Sequence, residues 1–376
     1  MSLHQALFFI TNGCNLRCGH CYVSASGRGR NELTTHEVME AVFMLKEYGF
    51  HSIAYLGGEP TLRSDFSKIL DYSKETFTSR GDSYPITVQT AGSVPFDWKH
   101  NTGINVQVSM ESCYPHEDEL VRGPPLLVEK FLNAEGLERE KALKELVANG
   151  EHYENARRTL EQLDIKAHNA TLRLTCFSFN SVLKTVEWAF QNNWNVVMEK
   201  YKVFGRGKVT GYLHSPSAEK MAQIFYGTKK LMEKYPGRGA MVLDPSWSIY
   251  SQEEYSQGIK YFNHDCSICP AGTHRLSIDS TGSVYFCHFP LGRKEFFLGN
   301  ILTTDFYEIK AKAEEIRKKM LEVELIKSCK DCQWLNICQG GCYIPIMEGE
   351  KRGDPDCPLH VLGWTKKPEK KVEKSD

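Results

Sequence analysis

Short apolar runs and helical repeats alternate over the first 215 residues, which predicts strands separated by helices. Strands are predicted at Phe8-Phe9-Ile10 and at 51–56, 86–90, 105–109, 170–177 and 196–203. Helices are predicted over 33–50, 152–163 and 181–192, with another that begins after a cap at Ser64 and runs to Phe77. Thr34 and Glu37 form a capping-box pattern. Repeated strand–helix units favour a parallel sheet, either open or closed into a barrel.

Residues 117–150 interrupt this alternation. They hold a Pro-Pro pair and then a charged, helix-prone stretch at 129–148. We interpret them as an insertion over one mouth of the sheet, within a first domain that spans 1–215. A solvated surface helix is the alternative interpretation.

The pattern changes again after residue 215. Residues 216–262 predict a connecting helix followed by an aromatic, polar linker. Over 263–365, cysteines, glycines and short apolar runs replace long helices, except at 304–326. This stretch predicts a second, smaller domain whose core is built around metal. The lysine-rich tail at 366–376 is expected to be disordered.

Composition places the 376-residue chain among globular proteins, with 41% hydrophobic and 25% charged residues. The 46 basic and 47 acidic residues nearly cancel, so the overall charge predicts neither a nucleic-acid partner nor a membrane surface. No apolar run approaches the roughly 18 residues that span a bilayer. The N-terminal apolar run lacks the length and basic flank of an export signal, so we expect a cytoplasmic protein.

The 13 cysteines change the picture most. A reducing compartment disfavours disulfides, and clustered cysteines there more often bind metal or do chemistry. All but Cys113 and Cys176 fall into three tight groups. Cys176 lies in an apolar strand and is expected to be a core thiol.

The first group, Cys14, Cys18 and Cys21, follows the first predicted strand. A structural zinc site needs four ligands. His20 lies between two ligating positions in the sequence, where its ring would have difficulty reaching the same metal. Three thiolates on a four-iron cluster leave one iron free to bind a cofactor or substrate.

This Cys-x3-Cys-x2-Cys spacing, with Gly57-Gly58-Glu59-Pro60 at the end of the second strand, resembles the radical S-adenosylmethionine (radical SAM) superfamily over roughly residues 5–215. The resemblance implies an α/β fold, a partial (β/α)6 TIM-type barrel with its cofactors at the carboxyl ends of the strands. It also implies a [4Fe–4S] cluster on the first cysteine group.

Residues matching the family's S-adenosylmethionine contacts lie at the ends of successive strands. Glu111 stands where relatives carry Asp, and Glu199 ends a later strand. The contacts implied by the resemblance are Gly57, Gly58, Glu59, Pro60, Thr90, Ser109, Glu111, Arg173 and Asn180.

The C-terminal cysteines supply eight thiols, enough for two fully ligated four-iron clusters. Their spacing resembles the SPASM extension of radical SAM enzymes, and a zinc ribbon is the alternative. The resemblance implies one auxiliary cluster on Cys269, Cys287 and Cys342, with Cys266 as its fourth ligand or an open iron in its place. It implies a second on Cys329, Cys332, Cys338 and Cys357.

The resemblance implies an enzyme that takes an electron from a donor such as ferredoxin or flavodoxin and cleaves S-adenosylmethionine to a 5′-deoxyadenosyl radical. Auxiliary clusters suit oxidation of a peptide or protein side chain, so the leading hypothesis is a maturase.

The first strand starts close to Met1, so we expect no leader-binding domain before the barrel. That favours a tetrapyrrole or other cofactor-maturation enzyme as the alternative. An electron carrier without chemistry is a third reading. Cys113 is either a hydrogen-atom donor or a buried thiol.

Overall fold

The computed structural model describes residues 5–77, 84–243 and 269–363. Its strands form one sheet with the order β10-β9-β8-β1-β2-β3-β4-β5-β6-β7. The strands are β1 (Gln5–Phe9), β2 (Ser52–Leu56), β3 (Ile86–Thr90), β4 (Asn105–Ser109), β5 (Thr171–Cys176), β6 (Asn195–Lys200), β7 (Ala240–Val242), β8 (Arg275–Ile278), β9 (Ser283–Tyr285) and β10 (Phe297–Asn300).

Strands β1 to β7 pair in parallel with their neighbours in sequence, as when Phe8 lies opposite Tyr55 and Tyr55 opposite Val88. β8 also pairs in parallel with β1, whereas the β8–β9 and β9–β10 pairs are antiparallel. Within the described ranges β7 and β10 are the two edges, so the sheet does not close. The predicted α/β class with a parallel, partial barrel is confirmed.

Helices connect the strands. They are α1 (Thr35–Glu47), α2 (Phe66–Thr76), α3 (Pro115–Arg122), α4 (Pro125–Asn133), α5 (Gly136–Asn149), α6 (His152–Gln162), α7 (Ile165–His168), α8 (Val182–Gln191), α9 (Ala218–Lys234), α10 (Phe306–Glu322), α11 (Lys327–Lys330), α12 (Leu335–Cys338), α13 (Ile344–Met347) and α14 (Pro358–Val361). Single 3-10 turns occur at Pro60–Leu62, Gly205–Lys208 and Lys294–Phe296.

The predicted caps have different outcomes. At α1 the Thr34 hydroxyl accepts from the Glu37 amide, and the Glu37 carboxylate accepts from the Thr34 amide, so the capping box is confirmed. The Ser64 cap is wrong, because α2 begins after Asp65. The Asp65 carboxylate is engaged by Arg63 and by Thr35, which joins the two helix starts.

Two further stretches hold more elements than the sequence indicated. The helix-prone stretch at 129–148 holds parts of two helices, because α4 ends at Asn133 and α5 begins at Gly136, whose φ of +52° a side chain would resist. The stretch read as a linker contains α9, as predicted, but also β7, which extends the sheet beyond β6. A three-residue strand such as β7 is too short to show the alternation of apolar and polar residues that predicts a strand. Residues 244–262 of that linker lie outside the described residues.

The C-terminal cysteine-rich part packs directly on the barrel. The ring of Tyr48 at the end of α1 stacks on Phe306 of α10, with centroids 4.2 Å apart. The ammonium of Lys200, at the end of β6, lies 3.2 Å from the Asp354 carboxylate. The second contact places Asp354, between Cys342 and Cys357 in the chain, at the carboxyl end of β6.

No helix in the described ranges is long and apolar enough to cross a membrane.

Candidate active site

A polar cavity opens at the carboxyl ends of the parallel strands. The loop after β1, the ends of β2 to β4, and the last residues of β5 and β6 all contribute to its wall. Its lining includes Cys14, Cys18, Cys21, Gly57, Gly58, Thr90, Ser109, Arg122, Arg173, Glu199, Lys200, Lys202, Arg206 and Phe289. This is the edge where parallel α/β sheets bind ligands, because loops from neighbouring strands converge there.

The three thiols of the first cysteine group share this cavity. The Cys14 amide donates to the Gly27 carbonyl at 2.9 Å, which folds the loop back on itself. The Arg206 guanidinium donates to the Cys18 carbonyl at 2.8 Å, and the Arg206 amide donates to the Cys21 carbonyl at 2.9 Å. The loop after β6 therefore holds the cysteine loop in place.

The protonation chemistry of these thiols fits a metal centre. Burial raises the pKa of Cys14 to about 11 and that of Cys18 to about 12. Ionising these buried thiols is therefore unfavourable unless a cation binds them, and a metal ion would offset that cost. The donor set of three thiols on one wall, beside polar side chains, fits an iron–sulfur cluster together with a polar cofactor.

The glycine pair of the second motif lies against the cysteine loop. The Gly58 amide donates to the Thr11 carbonyl, and the Glu59 amide donates to the Gly13 carbonyl, both at 2.8 Å. A Cβ on Gly57 would lie 2.5 Å from the Thr11 oxygen, and one on Gly58 would lie 1.9 Å from the Gly13 oxygen. Only glycine allows this contact, so the motif has a structural reason besides any cofactor contact.

Glu59 is fully buried and is absent from the cavity lining. Its carboxylate accepts hydrogen bonds from the Thr61 and Thr90 hydroxyls at 2.6 and 2.7 Å and from the Ala91 amide at 2.7 Å. The side chain therefore joins the end of β2 to the end of β3. Pro60 is also buried and starts the 3-10 turn. Their role as cofactor contacts stays a prediction.

Glu111 and Asn180 lie behind the cavity wall, and their role as cofactor contacts stays a prediction. Both side chains are fully buried and neither lines the cavity. Glu111 pairs with Arg122, while the Asn180 amide donates to the carbonyls of Glu111 and Thr175 at 2.8 Å each. The structure thus gives Asn180 the task of bracing the strand ends.

Three other predicted contacts do face the cavity. Thr90, Ser109 and Arg173 all line it, and the Arg173 guanidinium lies 2.9 Å from the Glu199 carboxylate. This pair presents both charges at one site, as binding of a zwitterionic amino-acid group requires.

Cys113 lies outside the cavity lining. Its backbone amide donates to the Thr185 hydroxyl on α8 at 3.0 Å. Burial raises the pKa of this thiol. The structure does not bring Cys113 to the other predicted site residues, so its role as a hydrogen-atom donor remains a prediction without geometric support.

Cys269, Cys287 and Cys342 lie close together beside the cavity. Burial raises the pKa of Cys269 and of Cys287, and each is raised further by the neighbouring thiols. The Arg275 guanidinium lies near Cys269 and Cys287, where it offsets thiolate charge. The grouping fits the predicted first auxiliary cluster, and Cys266 lies outside the described residues.

Aromatic rings connect this group to the first one. Tyr22, next to Cys21, packs on Phe289 and His288 with ring centroids 4.9 and 5.3 Å away. Phe289 also packs with Phe204 near Cys287. Tyr22 therefore packs as part of the wall between the two thiol groups.

The remaining cysteines lie on short helices and turns of the C-terminal part. The Cys332 amide donates to the Cys329 carbonyl at 3.3 Å. A Cβ on Gly353 would lie 3.1 Å from the Cys329 sulfur, so the turn leading to Cys357 lies beside that thiol. Cys338 ends α12.

Sequence reasoning missed several cations of the site, above all Arg122, Arg206 and Lys202. Arg122 lies within the stretch at 117–150 that we interpreted as an insertion over one mouth of the sheet, with a solvated surface helix as the alternative. The Pro at the first position of α3 marks a helix start, and this signal could have separated α3 from the exposed helices that follow.

Glu119 on α3 gives the fold a pH dependence. Its carboxylate accepts from the Tyr153 amide in the first turn of α6 at 2.9 Å, and burial raises its pKa from 4.5 to about 6. The folded state therefore holds this proton more tightly than the unfolded state. The stabilisation is complete below pH 4.5 and is lost as the pH rises through about 6.

We expect Glu119→Gln to remove the loss of folding stability that the parent shows as the pH rises through about 6. Relative to the parent, the variant should gain thermal stability between pH 5 and pH 7, measured by unfolding under anaerobic conditions. The matched control is Glu138→Gln on α5, whose side chain is 71% exposed and which should leave the pH profile unchanged. Parallel profiles for Glu119→Gln and the parent would contradict the prediction.

Two sequence families match the chain. The profile of the radical SAM superfamily matches residues 8–163, and that of the SPASM iron–sulfur cluster-binding domain matches residues 269–333. The first match covers the cysteine loop and the glycine motif, and the second covers part of the C-terminal cysteines.

Curated relatives extend over nearly the whole chain. Mycofactocin maturase MftC of Mycolicibacterium smegmatis is 24% identical, covering 94% of this chain and 82% of the relative. AdoMet-dependent heme synthase of Nitratidesulfovibrio vulgaris is 22% identical, covering 89% of this chain and 85% of the relative. The solved structure of native anSMEcpe with bound AdoMet and Cp18Cys peptide shares the fold, with a TM-score of 0.63 and 18% identity over 97% of this chain and 96% of that one.

The radical SAM match covers the three thiols that line the cavity, and the SPASM match covers Cys269 and Cys287, which lie beside it. The chain therefore belongs to the radical SAM superfamily, whose cofactors are a [4Fe–4S] cluster and S-adenosylmethionine, and carries a SPASM iron–sulfur cluster-binding domain.

Proposed function

We propose that this enzyme cleaves S-adenosylmethionine reductively and oxidises a side chain of a peptide or protein substrate. The observation that carries the proposal is a cavity lined by one thiol group, with a second thiol group behind part of its wall. Cys14, Cys18 and Cys21 line it directly, and Cys287 and Cys342 lie behind Tyr22 and Phe289. An oxidation needs an electron acceptor close to the substrate, and the second thiol group would hold one.

We assign the ligands by group. Cys14, Cys18 and Cys21 would hold the cluster that binds S-adenosylmethionine. Cys269, Cys287 and Cys342, with Cys266, would hold one auxiliary cluster, and Cys329, Cys332, Cys338 and Cys357 the other. The matching of Cys266 and Cys338 rests on spacing alone.

The cofactors supply, when bound, homolytic carbon–sulfur cleavage and removal of a hydrogen atom from an unactivated carbon. The chain's own residues bind and orient. The backbone at Gly57 and Gly58 lies against the cysteine loop, and the Arg173–Glu199 pair can bind the amino-acid group of the cofactor. The buried rings of Phe204 and Phe289 exclude water from the side facing the C-terminal thiols.

The activity can be tested directly. Anaerobically reconstituted protein, reduced with dithionite and mixed with S-adenosylmethionine, should release 5′-deoxyadenosine. Absence of 5′-deoxyadenosine with several low-potential reductants would leave only an iron–sulfur electron carrier.

The nature of the substrate is proposed from the relatives. A relative is named a maturase, and the solved structure sharing this fold holds a peptide. A tetrapyrrole substrate is the second candidate, because heme synthases match a similar share of the chain. Mass spectrometry of candidate peptides and of porphyrin precursors distinguishes the two. Loss of hydrogen mass on a peptide would eliminate the tetrapyrrole.

The remaining partners are proposed from the chemistry. The enzyme would receive its electrons from a ferredoxin or flavodoxin, act in the cytoplasm and bind neither nucleic acid nor membrane. Turnover supported by reduced flavodoxin in place of dithionite would test the proposed electron donor.

Replacing Cys332 by Ala is expected to lower iron content by up to about four atoms per chain and to lower thermal stability. The reason is that the segment around it has little apolar core and depends on metal for its fold. Iron analysis and anaerobic unfolding measure both effects. Cys113→Ala is the control for iron content, since Cys113 lies outside every ligand group. Unchanged iron in the Cys332 variant would remove it from the ligand set.

A further inference from the structure

Arg122 brings a buried positive charge to the first cysteine group. It ends α3, and its side chain is 10% exposed. One guanidinium nitrogen, Nη1, lies 3.8 Å from the Cys18 sulfur, within the range of a hydrogen bond to sulfur. A second, Nη2, lies 3.4 Å from Nε2 of His20. The guanidinium thus contacts two residues of the cysteine loop.

Glu111 holds the guanidinium in this orientation. Its Oε1 accepts from Nε and Nη2 of Arg122 at 2.8 and 2.5 Å, which leaves Nη1 directed at Cys18. Its other oxygen accepts from the Thr175 amide of β5 at 2.5 Å, and its own amide donates to Asp118 of α3 at 2.7 Å. The carboxylate is therefore fixed by strand and helix, and Arg122 is fixed by the carboxylate.

The positive charge of Arg122 would affect the reduction potential of a cluster bound at Cys18, and the sign of the shift follows from the charges. Hydrogen bonds and positive charge at a ligand sulfur stabilise the more negative, reduced state of an iron–sulfur cluster. Low local dielectric strengthens the effect, because little water screens a buried pair. The negative charge of Glu111 opposes this stabilisation of the reduced state. Glu111 binds Nε and Nη2 of Arg122, whereas Nη1 faces Cys18, so the positive charge is the nearer one to the Cys18 sulfur.

We propose that Arg122, oriented by Glu111, is a positioning residue that raises the reduction potential of the cluster held by Cys14, Cys18 and Cys21. The inference rests on the proposed function only in the identity of that cluster. It also explains why the first helix of the supposed insertion is buried: α3 supplies a contact to the metal centre.

The test compares midpoint potentials in the full-length, anaerobically reconstituted protein by redox titration followed by electron paramagnetic resonance. The signal of the first cluster is the one missing from the Cys14, Cys18 and Cys21 triple alanine variant. Glu111→Gln leaves the cation without its counter-charge and should shift the midpoint upward. The double variant Arg122→Met with Glu111→Gln removes both charges and should shift it downward. Arg122→Lys, which keeps the charge, should stay closest to the parent.

A merely structural role predicts a different pattern. Equal midpoints in Glu111→Gln, the double variant and the parent, with iron retained, would overturn the proposal. Loss of this cluster from all three variants would do the same, since it would assign the pair to folding alone. If the signal of the parent fails to respond to S-adenosylmethionine, the proposed function fails, while the comparison of potentials still decides the role of Arg122.

Discussion

Replacing Cys14, Cys18 and Cys21 together by Ala is expected to reduce 5′-deoxyadenosine release to background while the C-terminal cysteines keep their iron. The three thiols lie on one wall of the cavity and no other described cysteine lines it. The protein should lose about four iron atoms per chain, and the rest should remain bound. Iron analysis and chromatographic assay of 5′-deoxyadenosine on the same preparation measure the two effects.

The control for this variant is Cys176→Ala. Cys176 is fully buried in β5 and outside the cavity lining, so its loss should lower stability modestly and leave cleavage in place. Cleavage that survives in the triple variant would show that another part of the chain holds the reactive cluster. Complete loss of iron would show that the two thiol groups fold as one unit.

Gly58→Ala should be nearly as damaging, although it removes no ligand. The new Cβ would lie 1.9 Å from the Gly13 carbonyl oxygen and 2.8 Å from the Cys14 Cβ, so the cysteine loop must move. Displacements of about 1 Å at a reacting centre can cost about 100-fold in rate. We expect a loss of that order in cleavage, together with partial loss of iron at the first cluster.

Gly211→Ala is the matched control, because a Cβ there meets no atom within 4 Å. Its iron content and cleavage rate should equal those of the parent. A Gly58→Ala protein with parental iron and rate would mean that the contact relaxes without moving the thiols. The glycine pair would then be explained by the cofactor alone.

Local patterns predicted much of the scaffold. The strands at 86–90 and 105–109 and the capping box at Thr34 agree with the structure, because alternation and capping depend on neighbours in sequence. The cap predicted at Ser64 was wrong, because α2 begins after Asp65, whose carboxylate accepts from Arg63 and from the distant Thr35. β7 was missed because its strand character comes from pairing with β6 rather than from its own three residues.

The chemistry divides in the same way. Thiol spacing and a glycine pair are contiguous in the chain, so the amino-acid order alone indicated iron–sulfur clusters and the radical SAM family. Other contacts join residues far apart in the chain. Glu111 accepts from the Thr175 amide 64 positions away, Arg122 approaches Cys18 104 positions away, and Tyr22 packs on Phe289 between the two thiol groups. Long-range contacts of this kind arise only when the sheet brings its strand ends together, because charge, burial and hydrogen bonding act through space and not along the chain.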